Sequence, residues 1–368
     1  MKRISRRSFL FNASAGATAM SLPAIISPLK KSQRYDGKKL NVVLVGLGVY
    51  AGILADGLQS SEYCRLAGIV TGHPNKAASW KAQYKIPDKN IYNYENFDQI
   101  AKNSDIDLVY VVLPNSMHKE YTIRAAKAGK HVICEKPMAI SVKECEEMIA
   151  ACKNAGVQLA IGYRLHYEPY NLEIKRLGQK KVFGQVRLIE SSLGYPTGDP
   201  SQWRLHKALS GGGPLMNVGI YCVQSARYVL GEEPLSVTAQ FGPNTNPELF
   251  KEVEASITWQ LQFPSGAVCN SSSTYNCLID RFFASADNGQ FEMSPAISYG
   301  PFAGKTSNGP LHFPDINQQA AQLDGIGKLI LAKQLLPDHI TGAEGLKDMR
   351  IMEAIYKSAQ TGTKVSLV

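Results

Sequence analysis

The sequence predicts an α/β protein. A doubly wound parallel sheet occupies its first half, and an α+β domain with a mostly antiparallel sheet occupies its second. Three observations carry this reading. Short apolar runs alternate with helical segments up to residue 162, the pattern of parallel strands joined by crossover helices. Strand-like runs then dominate from residue 185 to residue 293, joined by turn sequences. A glycine-rich turn closes the first apolar run.

Taken in order, the strands of the first half are expected at Leu40–Val45, Arg65–Val70, Asp107–Leu113, His131–Glu135 and Gln158–Gly162. Helices are expected from Gly48 toward Leu58, at Asn75–Tyr84, Tyr94–Asn103 and Ser116–Ala128, and after Ser141. Ser141 followed by Glu144 reads as a capping box. Beyond Tyr163, strands are expected at Gln185–Ser192, Leu235–Phe241, Ala255–Phe263, Ala267–Tyr275, Arg281–Ala286 and Gln290–Met293. Pro264-Ser265-Gly266 and Asp287-Asn288-Gly289 are hairpin turns. Helices are expected at Leu215–Leu230, Asn317–Leu336 and Gly342–Gln360. The domains expected are 38–162 and 163–368, preceded by an arm or linker over 31–37.

The 368 residues are 44% hydrophobic and 19% charged, which suffices for two domains with real cores. Disordered, collagen-like and coiled-coil classes are excluded. The net charge is +9, but Lys2, Arg3, Arg6 and Arg7 lie at the very start and the rest is dispersed. No basic run interleaved with aromatics argues for nucleic acid. The seven cysteines form no CxxC pair and no metal spacing. Residues 1–30 read as a twin-arginine export signal: Ser5-Arg6-Arg7-Ser8-Phe9-Leu10, then a weakly apolar stretch rich in Ala and Gly. An exported, periplasmic protein with no stable membrane insertion after signal cleavage is expected.

Gly46-Leu47-Gly48-Val49-Tyr50-Ala51 fits G-x-G-x-x-A between a strand and a helix, the context in which that pattern binds a dinucleotide. Gly46 allows the tight turn, Gly48 the approach of a pyrophosphate, and Ala51 close helix–strand packing. NAD sites place Asp or Glu at the end of the second strand. Here Thr71-Gly72-His73 stands there, followed by Lys76. Thr71 can donate to a 2′-phosphate and Lys76 can pair with it, which favours NADP over NAD. Read as structure alone, Lys76 is a solvated helix lysine.

Two further segments suggest chemistry. Glu135-Lys136-Pro137 ends a strand at the carboxyl edge of the sheet, where ligands bind. Gly211-Gly212-Gly213-Pro214 opens a helix on which Asn217 and Tyr221 share a face. Each segment alone could serve packing. With Leu113-Pro114-Asn115-Ser116, Gly162-Tyr163-Arg164, His166-Tyr167, Gln202-Trp203-Arg204-Leu205 and Leu230-Gly231-Glu232-Glu233-Pro234, they carry a resemblance. Over residues 38–365 the chain resembles the Gfo/Idh/MocA oxidoreductases, and most their glucose–fructose type.

The resemblance implies a Rossmann domain, a large open-faced sheet through which a dimer or tetramer forms, and a sugar-like substrate over the nicotinamide. It extends the cofactor contacts to Leu113, Pro114, Asn115, His118, Glu135 and Lys136. The family's catalytic lysine falls on Lys136, and its final catalytic position on Tyr221. The family's aspartate position is occupied by Asn217. Arg164, His166, Tyr167, Trp203 and Arg204 are candidate substrate contacts, with core packing the alternative for Trp203. Tyr221 as a base needs help, since free tyrosine titrates near 10. An ammonium about 4 Å away contributes up to about 4 kcal/mol at an effective dielectric near 20. The expected activity is hydride transfer between a sugar and a tightly held NADP, by ping-pong aldose oxidation and ketose reduction. The alternatives are a dinucleotide-recycling glycoside hydrolase and a non-catalytic NADP-bound sugar-binding protein.

Overall fold

The structure, a computed structural model, describes residues 37–368. The expected export signal and all but the last residue of the expected arm lie outside the described residues. The first half alternates β1 (Leu40–Val45), α1 (Val49–Ser60), β2 (Cys64–Val70), α2 (Pro74–Tyr84), β3 (Ile91–Tyr92), β4 (Leu108–Val111), α3 (His118–Lys127), β5 (His131–Cys134), α4 (Val142–Asn154) and β6 (Leu159–Ile161). The strands pair in parallel in the order β3-β2-β1-β4-β5-β6. Direction reverses between β1 and β4, opening a crevice at the carboxyl ends where ligands bind. Val42 to Val45 are fully buried, as a strand covered on both faces requires. Ser141 caps α4 by accepting from the Glu144 N–H at 3.3 Å. The Glu144 carboxylate reaches back to the Ile140 N–H, one residue before the cap.

The helix expected at Tyr94–Asn103 is replaced by 3₁₀ turns over Phe97–Lys102. The Asn93 side chain accepts from the Glu95 and Asn96 N–H groups. This Asx turn bends the chain, and Phe97 and Ile100 then reach the core.

The second half contains α5 (Pro169–Gln179), β7 (Val186–Gly194), α6 (Lys207–Ser210), α7 (Ile220–Leu230), β8 (Ser236–Phe241), β9 (Ser256–Gln262), β10 (Val268–Thr274), β11 (Ile279–Ala286), β12 (Gly289–Met293), β13 (Gly304–Thr306), β14 (Gly309–Pro310), α8 (Gln318–Leu331), α9 (Gly342–Thr361) and β15 (Val365–Ser366). Nine strands form one sheet in the order β14-β13-β12-β11-β7-β10-β9-β8-β15. The β7–β10 pair is parallel, and the other pairs are antiparallel. One face buries Ile189, Ile257, Trp259, Leu261, Cys269, Phe282 and Ala284. The other face carries Ser192, Thr238, Thr258, Gln260, Asn270 and Ser272.

Two features depart from the sequence expectation. α8 follows the large sheet in sequence but packs on the first half. Its Leu323 and Ile326 join Leu44, Leu54 and Leu58 in one core cluster. The boundary expected at 162/163 therefore divides the sequence, while α8 covers the parallel sheet. The helix expected at Leu215–Leu230 opens with a π-turn at Leu215–Gly219 before becoming α-helical. Such wide turns concentrate at functional sites.

α7 is held by a buried ionic network. Its Arg227, 3% exposed, pairs with Asp348 at 2.6 Å and Glu344 at 2.8 Å on α9, and with Glu233 at 2.7 Å. Asp348 also accepts from the Tyr163 hydroxyl and the Gln224 amide. Burial, opposed by Arg227, raises the Asp348 carboxyl to about 6. The folded protein thus holds this proton more tightly than the unfolded chain. The stability this proton lends is full below the ordinary carboxyl range and is lost as pH rises through about 6.

Removing one partner of a buried ion pair typically costs about 3–5 kcal/mol. Arg227→Met should therefore lower unfolding stability by about that much at pH 7.5. Part of the loss should return at pH 5, where protons neutralise the stranded carboxylates. Thermal unfolding at the two pH values measures both effects. An unchanged midpoint would show that the network does not hold α7.

Candidate functional site

At the carboxyl edge of the parallel sheet, Gly46 adopts φ +93°. A Cβ there would lie 2.5 Å from the Val112 carbonyl oxygen, so the turn needs glycine. Gly48 sits at the N-cap of α1 with open space above it. No side chain caps this helix and no acid occupies its first turn. The first backbone N–H groups and the positive end of the helix dipole are thus left for an anion. Leu47 and Ala51 are core residues, whereas Val49 is 90% exposed. Thr71 is buried at the end of β2. The Lys76 ammonium donates to the Leu47 carbonyl at 3.1 Å, drawing its charge over the glycine turn. Gly72 lies against Tyr94. This arrangement fits a dinucleotide whose pyrophosphate rests on α1 and whose 2′-phosphate meets Thr71 and Lys76.

The next loops frame the reacting end. Leu113 is buried, and Asn115 after Pro114 is buried as well. The Asn115 amide donates to the Ser210 carbonyl at 2.8 Å. His118, expected as a cofactor contact, is turned inward instead. Its ring nitrogens lie 2.9 Å from the Pro137 carbonyl and 2.8 Å from the Leu113 carbonyl. Burial lowers its basicity. A neutral imidazole donates from one nitrogen only, so His118 bonds one of these two carbonyls and packs against the other, a supporting role inside the fold.

Glu135 is buried beneath Lys136 and accepts from the Tyr110 hydroxyl at 2.6 Å. Gln322 on α8 donates in turn to Tyr110. A side chain at Gly162 would run into the Glu135 carboxylate. Burial raises the Glu135 carboxyl, and the Tyr110 hydrogen bond opposes the shift.

Lys136 donates from Nζ to the Asn217 carbonyl at 2.8 Å and stands 4.5 Å from the Tyr221 ring centre. The π-turn that presents Asn217 is anchored by Glu254. Its carboxylate accepts from the Gly213 and Leu215 N–H groups and from the Tyr356 hydroxyl. The Asn217 side chain is fixed at both ends. Oδ1 accepts from Arg204 Nε at 3.2 Å, and Nδ2 donates to the Tyr195 hydroxyl at 2.7 Å. The Arg204 guanidinium lies over Trp203, 4.5 Å from the ring centre. One face of Trp203 is therefore covered.

Three expected substrate contacts are corrected. Arg164 is only 3% exposed. It donates to Gln318, to the Ile297 carbonyl and to the Ser298 carbonyl. Its guanidinium stands 5.2 Å from the Tyr221 ring centre, so it supports Tyr221 from within. His166 stacks with Tyr163 and His339. Burial and then the His339 charge push its basicity well down. Tyr167 packs against Gly325 of α8. The 3₁₀ turn over Arg164–Tyr167 points these side chains toward the interior.

The structure adds residues that the motifs did not mark. Tyr299 faces Arg164 at 4.6 Å and lies 6.3 Å from the Tyr50 ring. Tyr299 itself is 58% exposed. Tyr50 is raised by burial and then by the Glu135 charge. Tyr195 directly follows β7, so its place at a strand end was a usable signal. Tyr299 lies in a loop without a motif and offered none.

Comparison with known proteins accords with this geometry. Residues 40–163 match the Gfo/Idh/MocA oxidoreductase family, NAD-binding Rossmann fold. Residues 171–292 match the Gfo/Idh/MocA C-terminal domain. The chain is 26% identical over 322 residues to the D-xylose 1-dehydrogenase [NADP(+)] of Haloarcula marismortui, covering 84% of this chain and 88% of that one. It is 26% identical over 331 residues to D-xylose 1-dehydrogenase (NADP(+)) 2 of Haloferax volcanii, covering 88% and 97%. The crystal structure of aldose-aldose oxidoreductase from Caulobacter crescentus, complexed with glycerol, superposes with a TM-score of 0.87 at 44% identity, covering 90% of this chain and 100% of that one. With both halves matched in order and the glycine turn, Lys136 and Tyr221 assembled at one edge, the chain belongs to the Gfo/Idh/MocA oxidoreductase family.

Proposed function

We propose that this enzyme is an NADP-dependent oxidoreductase acting on the hydroxyl and carbonyl groups of sugars, with Tyr221 as its acid–base group. The observation that carries the reading is the Tyr221 ring between Lys136 Nζ at 4.5 Å and Arg164 Cζ at 5.2 Å. Bound at the glycine turn, NADP supplies a nicotinamide that accepts or returns a hydride. Tyr221 takes the proton of the sugar hydroxyl in one direction and returns it in the other. The two cations stand beside the Tyr221 ring, where they favour the negative charge it carries as a base. Asn217 offers a donor and an acceptor that orient a hydroxyl. The D-xylose dehydrogenases and the aldose-aldose oxidoreductase support an aldose and NADP.

The reading extends to a retained cofactor, restored in place when a second sugar is reduced. The twin-arginine pattern at residues 1–30 supports this, because an exported enzyme meets no soluble dinucleotide pool. Oligomerisation through the polar face of the large sheet belongs to the same reading. That face is knit by Ser272 to Ser192 at 2.8 Å, Gln260 to Asn270 at 2.9 Å and the ion pair of Arg281 with Glu190 at 3.0 Å.

Mixing the purified protein with aldoses, without added cofactor, should raise absorbance at the reduced-nicotinamide band, and a second sugar should reverse it. No rise with any aldose, with NADP released on denaturation, would sink the activity. Tyr221→Phe should cut turnover by about 10²–10⁴ while cofactor retention holds. Unimpaired turnover would remove Tyr221 from the chemistry. Lys76→Ala should weaken NADP binding by about tenfold and leave NAD binding unchanged. An equal loss for both dinucleotides would show that Lys76 does not read the 2′-phosphate. Thr258→Arg together with Ser272→Arg should convert an oligomer to a folded monomer by light scattering. A native-sized oligomer would place the interface elsewhere.

A further inference from the structure

The cleft beside Tyr221 gathers three cations: the Glu135 charge acts on Lys136 and Arg164, whereas Arg204 has no carboxylate in hydrogen-bond contact among the described residues. Lys136 gives its hydrogen bond to the Asn217 carbonyl, a neutral acceptor. Arg204 gives Nε to the Asn217 amide oxygen, also neutral. Among the described residues, the two terminal nitrogens of Arg204 have no protein partner. Stacking on Trp203 fixes the guanidinium plane. Arg164 is bonded to two carbonyls, an amide and Tyr221 itself.

Two carboxylates lie close, and neither is hydrogen-bonded to Arg204. Glu135 is buried and bonded to Tyr110. Glu254 is closed off by Gly213, Leu215 and Tyr356. The side chain standing between the two front cations is an amide. Asn217 holds Lys136 with its backbone oxygen and Arg204 with its side-chain oxygen, and it neutralises neither. Its remaining amide hydrogens face the Tyr195 hydroxyl at the open rim, 36% exposed.

A planar guanidinium with its terminal edge free matches a carboxylate through two parallel hydrogen bonds. A partly dehydrated charge without a partner is unfavourable, so a ligand that supplies the counter-charge gains affinity. We propose that the preferred substrates are sugar acids, aldonates or uronates. Their carboxylate docks on the terminal edge of Arg204, while a hydroxyl elsewhere in the molecule reaches Tyr221. The proposal rests on the reading of this cleft as a sugar site. It concerns binding and adds no step to the chemistry.

The test is calorimetric titration of the protein as purified with matched pairs: D-glucuronate and D-glucose, D-galacturonate and D-galactose, D-gluconate and D-glucitol. At least one acid should bind about 10–100-fold more tightly than its neutral partner. The advantage should shrink as salt rises from about 50 to 500 mM. It should fall toward parity in Arg204→Gln and be partly kept in Arg204→Lys. Equal or weaker binding of every acid overturns the proposal, as does an advantage that survives Arg204→Gln. Nicotinamide absorbance in the same samples separates the two readings. Acid binding without any absorbance change keeps the carboxylate site and sinks the redox activity. Reduction by neutral aldoses without acid preference does the reverse.

Discussion

The burial of Arg227 is the constraint on which the rest of the second half depends. A guanidinium 3% exposed is tolerable only with counter-charges beside it. Asp348 and Glu344 on α9 and Glu233 after α7 supply them. The network ties α7 to α9 and, through the Tyr163 hydroxyl, to the end of β6. α7 carries Tyr221 one helical turn before Gln224 and two before Arg227. The ionic core therefore sets where the Tyr221 ring stands relative to the carboxyl edge of the parallel sheet.

From that anchor the site assembles from three directions. β5 delivers Lys136, with His118 buried between the Leu113 and Pro137 carbonyls. The π-turn delivers the Asn217 carbonyl to Lys136, with Glu254 satisfying its first N–H groups. The turn after β6 delivers Arg164 beneath Tyr221. Hydrogen bonds from each piece end on another, as from Asn115 to Ser210 and from Lys136 to Asn217, so the pieces are mutually positioned. The side chains proposed to react rest on a supporting layer of Tyr110, Gln322, Glu254 and Tyr356.

Periodicity and turn chemistry made most of the fold legible. β1 through β6 announced themselves as apolar runs between turns, except the two-residue β3, too short to show a period. β9 and β10 alternate cleanly because one face is buried and the other is wet. α5 was missed although Pro169 stands in its first turn and the Glu168 carboxylate caps its N–H groups. β13 and the edge strand β14 are two or three residues long with little apolar content, so no pattern marked them. The site was legible where a backbone shape demands particular residues, as at Gly46 and at the turn before Asn217. It was illegible where an ordinary residue is recruited from a distant loop, as with Tyr299.

The sequence by itself determined the parallel sheet, the dinucleotide turn, the lack of an acid at the end of β2, and the lysine and tyrosine of the site. Each follows from local rules, since strand period, glycine conformation and helix-end polarity act over a few residues. Only the tertiary structure decided the roles of the polar side chains around them. Arg164, His166 and Tyr167 are adjacent polar residues on one short turn, and nothing local separates a cleft contact from a buried support. Packing made that choice: Gly325 of α8 lies against Tyr167, Tyr228 of α7 and His339 before α9 pack on His166, and Arg164 is left beside the Tyr221 ring.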